Sequence, residues 1–249
     1  MKSLYLEFKK IRYRKLWLTI VILVGVQFLW TLWSSKKMDE QALEQGWMYF
    51  LYQLSSLNTL MMPIAAAVVA SRLCDTEHKG GMLKLMYTVV PRGKLFLAKF
   101  LCGSIFMALA ALLQVLLILF LGKTRVFAGN APADRLLFYL LTTIAVNVTI
   151  LLFQQVLSLF FVNQMIPLTA GLVGSFAGLF SLFFPGSLKR LLIWGYYGVL
   201  ANVNLNWDQT TRHAEFYYTP TDWAGLLMLA VMFAGIYLLG QFLLKRKEL

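Results

Sequence analysis

The chain has 249 residues, 59% of them hydrophobic and only 14% charged, with a formal net charge of +12. A soluble domain carries about 25% charged residues, so this composition excludes a water-soluble fold and leaves no segment that would fold alone as a soluble domain. The charges crowd into short stretches between long uncharged ones, as a bilayer sorts them, so the positive excess reads as basic flanks facing anionic headgroups rather than a nucleic-acid surface.

In residues 1–15, Leu4, Phe8 and Ile11 recur at helical spacing while Lys9, Lys10, Arg12 and Arg14 fill other positions. This pattern predicts an amphipathic helix lying on the inner leaflet, with a disordered basic tail as the alternative. Six apolar runs follow, at 16–33, 48–70, 100–121, 136–161, 165–184 and 224–244, and none contains Asp, Glu, Lys or Arg. Each approaches or exceeds the roughly 17–25 residues that a helix needs to cross hydrocarbon. The first run is too long for a signal peptide, and Trp30, Trp33, Ser34, Ser35 and Lys36 form no small-residue cleavage site, so it reads as a retained span. The expected fold class is an all-α integral membrane protein with six transmembrane helices, an N-terminal interfacial helix and an outer re-entrant segment, in one domain over 1–249.

Orientation follows from Lys and Arg. Segments 1–15, 71–99, 162–164 and 245–249 hold 15 of them, and segments 34–47, 122–135 and 185–223 hold 8. Acidic residues run the other way, 4 against 7. The positive-inside rule then places both termini and residues 71–99 in the cytoplasm.

Within the spans the polar residues are Gln27, Gln53, Asn58, Gln114, Asn147, Gln154, Gln155 and Gln241. Gln53, Asn58, Gln114 and Asn147 are candidates for a cargo path, and hydrogen bonding between helices is the alternative. Asn147 opens an N-x-T match, but its mid-span position makes it no glycosylation site. Gly174 and Gly178 form a GxxxG with Gly171 one turn earlier, a pattern for close helix packing. Pro63 should kink the second span.

Residues 71–99 are the richest in signals. Asp75 and Glu77 precede a Gly80–Gly81 break, then comes the short apolar run Met82–Met86, then Pro91 with Arg92, Lys94 and Lys99 at the entry to the third span. The glycines and the proline isolate a short helix at the membrane surface that a cytosolic partner could grip; a solvated basic loop is the alternative. Further on, Leu191–Leu200 is apolar and aromatic but only ten residues long. It is too short to cross, and it is expected to form a re-entrant or interfacial helix, with Asn202–Thr219 returning along the outer surface to Trp223.

Several chemistries lack their residues. There is no GxxxxGK[ST] phosphate loop, no HExxH, no GxSxG and no Cys/His cluster; Cys74 and Cys102 lack metal-ligand spacing. With no ionisable group in the expected spans, ion coupling has no carrier, so the energy for any transport should come from a partner. A lipid-modifying membrane enzyme would need a convergent acid/base set that the sequence does not offer, and a non-transporting assembly or sensor subunit is a second alternative.

The segment around Gly81 resembles the cytoplasmic loop of type-2 ABC exporter permeases, in which Glu, a short gap, Gly-Thr, an apolar run, Pro and a basic residue follow in order. Glu77, Gly81, Pro91 and Lys94 match, and Met82 stands where that pattern has Thr. The amphipathic start, the six spans and the outer segment are also similar to that family. Size and layout are most similar to permease subunits of lantibiotic-immunity and bacitracin-type exporters. The resemblance implies contact with an ATPase through Glu77, Gly80, Gly81, Met82, Leu83, Leu85, Met86, Pro91 and Lys94. It implies no cofactor on this chain, with ATP and Mg bound by the partner ATPase. The other partners it implies are a second permease subunit, membrane lipid and an amphiphilic peptide cargo, in a bacterial plasma membrane.

Overall fold

A computed structural model describes residues 2–11, 15–36, 38, 43–78, 91–125, 127–207 and 214–246. Helix α1 (Lys2–Ile11) is followed by α2 (Leu16–Ser35). Between them Lys15 takes a φ of 49°, the left-handed region that turns the chain sharply. Helices α3 (Gly46–His78) and α4 (Arg92–Thr124) are 33 residues each and run well past the apolar stretches that define them in the sequence. α5 (Ala133–Phe160), α6 (Met165–Ser181) and α9 (Trp223–Arg246) complete the long helices.

The helix ends have local causes. α4 starts just after Pro91, whose ring holds φ at −55° while its ψ of 135° is extended, so the helix begins at Arg92. Asp222 caps α9 by accepting a hydrogen bond from the Gly225 N–H at 2.9 Å.

Among the described residues five helices are long and apolar enough to cross a membrane: α2, the Gly46–Asp75 part of α3, α4, α5 and α9. α6 is also apolar, but its 17 residues reach only about 25 Å at the helical rise, short of a hydrocarbon core of about 30 Å. α3 is the central helix and packs against α2, α4, α5 and α6. Its small residues Ala65, Ala66 and Ala70 are buried, so neighbouring backbones approach closely. α9 packs on α5 and buries least of its surface.

The stripe Gly171, Gly174 and Gly178 on α6 explains one of these contacts. A Cβ at Gly178 would stand 3.1 Å from the carbonyl oxygen of Thr59 and 2.8 Å from that of Trp194. At Gly171 it would collide with Ala67, and at Gly174 with the indole of Trp194. Pro63 has no N–H, so the Thr59 carbonyl one turn earlier loses its helical partner. Gly178 lets α6 close directly over that carbonyl.

Contacts sort the connections onto two ends of the bundle. At one end Glu7, Leu73, Arg92, Lys99 and Leu244 meet. At the other, the Ala128 N–H donates to Leu43, the Phe216 N–H donates to Gln45, and Asn202 donates to the Arg135 carbonyl.

The segment after α6 differs from the expectation. Leu191–Leu200 is not one helix: it breaks into a 3₁₀ turn (Ile193–Gly195) and α8 (Tyr196–Val199), after a single turn α7 (Gly186–Lys189). The cause is packing. Ile193, Tyr196, Tyr197 and Leu200 are all buried against the bundle, and Gly195 lies so close to Ser181 that a Cβ would meet its hydroxyl at 2.6 Å. The polar run beyond it is a hairpin, with β1 (Val203–Trp207) antiparallel to β2 (Ala214–Tyr218) and Leu205 opposite Phe216. The chain is thus mostly helical, with one two-stranded ribbon that an all-α reading omits.

Candidate functional site

Residues with functional potential fall into three places: the middle of the bundle, the hairpin end and the end where residues 79–90 emerge.

In the middle, four helices each contribute one polar side chain to a closed network. Gln27 on α2 donates to Asn58 Oδ1 on α3 at 3.0 Å, and Gln114 on α4 donates to Gln27 Oε1 at 2.8 Å and to Asn58 Oδ1 at 2.8 Å. Asn58 donates back to Gln114 Oε1 at 3.1 Å, and the Tyr139 hydroxyl on α5 donates to the same oxygen at 2.9 Å. Gln27, Asn58 and Gln114 have no exposed surface, as expected where each unmet polar group in hydrocarbon is costly. Asn147 lies apart from them. It donates to the Met107 carbonyl at 3.1 Å and accepts from the Tyr197 hydroxyl at 2.6 Å, which ties the segment after α6 into the bundle.

At the hairpin end, a cavity of about 390 Å³ opens between α2, α3, α6 and the two strands, with Trp30, Tyr52, Gln53, Leu57, Leu179 and Trp207 in its wall. Gln53 is therefore separated from the other three polar candidates. Its Oε1 is buried with no hydrogen-bond partner among the described residues. The Ser56 hydroxyl is occupied, donating to the Tyr52 carbonyl at 3.1 Å. The Ser34 and Tyr49 hydroxyls share a hydrogen bond beside the cavity. Phe216 on β2 packs against Tyr49 and Tyr52 with ring centres 5.4 and 5.6 Å apart, which fixes the hairpin as one wall. The groove of about 470 Å³ between α2 and α4 has only apolar residues and Gly25 in its lining.

At the third place, Gly80, Gly81, Met82, Leu83, Leu85 and Met86 lie outside the described residues, and of Glu77 only its backbone position in the last turn of α3 is described. Pro91 and Lys94 are exposed at the start of α4. Around them are contacts that the sequence did not announce. Arg92 donates to the carbonyls of Leu244 and Lys245 at 2.9 and 3.1 Å, capping the end of α9. Lys99 is fully buried, 3.0 Å from Glu7 Oε2 and 2.7 Å from the Leu73 carbonyl oxygen. The available signal was Glu7 among the cations of α1, on the face shared with Ile11. Lys99 was obscured because the apolar run begins only after it. Among the described residues no three His, Cys, Asp or Glu side chains gather to hold a metal ion.

Long apolar helices around a polar centre, with the basic segments gathered at one end, define a polytopic membrane protein. The sequence model of the ABC-2 family transporter proteins matches residues 3–178, well over half of the chain. The chain belongs to that family and is a permease component of an ABC transporter. No curated protein matches the sequence.

Proposed function

We propose that this permease is one half of the membrane part of an exporter, working with a second permease and with two copies of a separate ATPase that bind ATP and Mg. α6 is then the fifth of six spans, with Leu182–Phe184 making up its length. Both termini and residues 71–99 face the cytoplasm, on the strength of the 15-to-8 division of basic residues. Glu77, the segment Gly80–Met86, Pro91 and Lys94 meet the ATPase, and its closure shifts α3 and α4, which carry the two ends of that segment. The cargo is an amphiphile, with an antimicrobial peptide of the lantibiotic type as the leading candidate, in a bacterial plasma membrane.

The observation that carries the export reading is the cavity of about 390 Å³ at the end of the bundle away from residues 79–90. Among the described residues its wall is apolar and aromatic with an unpartnered amide, Gln53, and without a charged side chain. Such a pocket suits an apolar body that carries a hydrogen-bonding group. The test is Leu57→Trp, which fills the cavity, against Leu109→Trp on the exposed face of α4 as control. Cells making the Leu57→Trp protein should lose at least tenfold of their protection against a panel of cationic amphiphilic peptides, with the ATPase still copurifying. Full protection by Leu57→Trp would contradict the cavity as the cargo site.

A further inference from the structure

Charges are rarely buried in a membrane protein without a partner and a purpose. The Glu7–Lys99 pair lies 92 residues apart in sequence and is closed from solvent on both sides, with side-chain exposures of 2% and 0%. Its position is specific. Lys99 follows the start of α4, where residues 79–90 return to the bundle, and its ammonium also holds the carbonyl of Leu73, near the end of α3 where they leave it. Glu7 sits on α1 and also accepts from Lys10 at 2.9 Å. The next residue, Phe8, packs on Phe106 with ring centres 6.4 Å apart. One ammonium therefore joins three elements: the N-terminal helix, the strut entering residues 79–90 and the strut leaving them.

We propose that Lys99 is the positioning residue that makes α1, the end of α3 and the start of α4 one mechanical unit. A displacement of residues 79–90 then moves α1 together with the two spans. This rests on the reading of that segment as the ATPase contact. The chemistry requires a cation here with more than one proton to donate, because it meets a carboxylate and a carbonyl at once. A carboxylate in its place has no proton to give to Leu73.

A built-in reporter separates the clamp from the coupling. Cys102 is buried and lies between Lys99 and Phe106 on the same face of α4, at three- and four-residue spacing. It is therefore covered by α1 as long as Glu7 and Phe8 stay in place. The experiment uses the complex purified through the tagged full chain, in a Cys74→Ala background, and reads maleimide labelling of Cys102 and permease-stimulated ATP hydrolysis. Lys99→Met should speed labelling at least tenfold and lower the stimulation at least tenfold, with the ATPase still bound. Lys99→Arg, which keeps charge and donors, should hold both within about threefold. The exchanged pair Glu7→Lys with Lys99→Glu should shield Cys102 again but leave the stimulation low, since the bond to Leu73 is not restored. If Lys99→Met does not accumulate, Glu7→Gln keeps the size of the side chain and carries the same two readouts. Unchanged labelling and stimulation in Lys99→Met or Glu7→Gln would overturn the proposal, as would an exchanged pair that recovers both. A wild-type chain that purifies without an ATPase would contradict the coupling reading alone, and the Cys102 rate would still decide the clamp.

Discussion

Asn58 bonds to every other member of the central network, Gln27, Gln114 and Tyr139. Replacing it by Leu leaves three buried groups short of a partner. Buried groups left unsatisfied cost about 1–3 kcal/mol each in soluble proteins, and hydrogen bonds between membrane helices are worth about 0.6–2 kcal/mol. Asn58→Leu should therefore lower the thermal unfolding midpoint in detergent by several degrees, and Tyr139→Phe, which removes one O–H, by clearly less. Equal midpoints for both variants and the wild type would mean that the network does not hold the helices. Gln27, Asn58 and Gln114 were legible in the sequence as polar residues within apolar runs. Their mutual contact was not, because a helix apolar on all sides carries no pattern that tells which face meets which. Tyr139 was hidden for a related reason, since an aromatic in an apolar run looks like any other packing residue until its hydroxyl is located. Glu7 was obscured because it stands among the cations of an amphipathic helix, and Lys99 because it lies just before the apolar run of the third span.

The elements carry their own tests. The α3–α6 contact depends on a hydrogen atom where a Cβ would collide, at Gly171 against Ala67, and the seat of Trp194 on α6 depends likewise on Gly174. Gly235 on α9 faces open space. Gly171→Leu should thus abolish accumulation of folded protein, as followed by monodisperse elution of a fluorescent fusion, and Gly235→Leu should be tolerated. At the hairpin end, Arg190 donates to Asp222 Oδ2 through Nε and Nη2 at 3.0 and 2.8 Å. Burial raises the Asp222 carboxyl pKa, but the Gly225 N–H and Arg190 outweigh it and hold the group below its usual 3.8. A carboxylate with a depressed folded-state value stabilises above its unfolded value, and that contribution disappears as pH falls through the folded value. Asp222→Asn should then lower the unfolding midpoint at pH 7, and by progressively less as pH is lowered through the acid range below 3.8; a loss of the same size at every pH would place the effect in packing instead. The glycine stripe and the helix runs were readable in advance. The hairpin was not, because Asn204, Asn206 and Glu215 between its apolar residues resemble a polar loop, and the strand pairing that orders them is a contact across the turn.

On the scale of the whole molecule, the connections between the long helices fall into two groups. The contacts gather α1, the end of α3, the start of α4 and the end of α9 at one end, and place the hairpin with residues 43–46 and 127–135 at the other. Membership in the ABC-2 transporter family gives this polarity a meaning. In the proposed exporter, energy enters at the end that carries Pro91 and Lys94, and cargo occupies the cavity at the opposite end. α3 runs between the two, lining the cavity with Tyr52, Gln53 and Leu57 and ending at His78 beside residues 79–90. The central claim is that the short segment after Glu77 receives force from a separate ATPase. It is tested most directly by purifying the complex with Glu77→Ala, and with Glu44→Ala at the opposite end as control, and measuring ATPase recovery and cargo-linked ATP hydrolysis. A charge desolvated against a partner is worth about 2–5 kcal/mol when truncated, so Glu77→Ala should lose most of the bound ATPase or most of the linked hydrolysis while inserting normally, and Glu44→Ala should lose neither. Full ATPase association together with full export in Glu77→Ala would contradict the account.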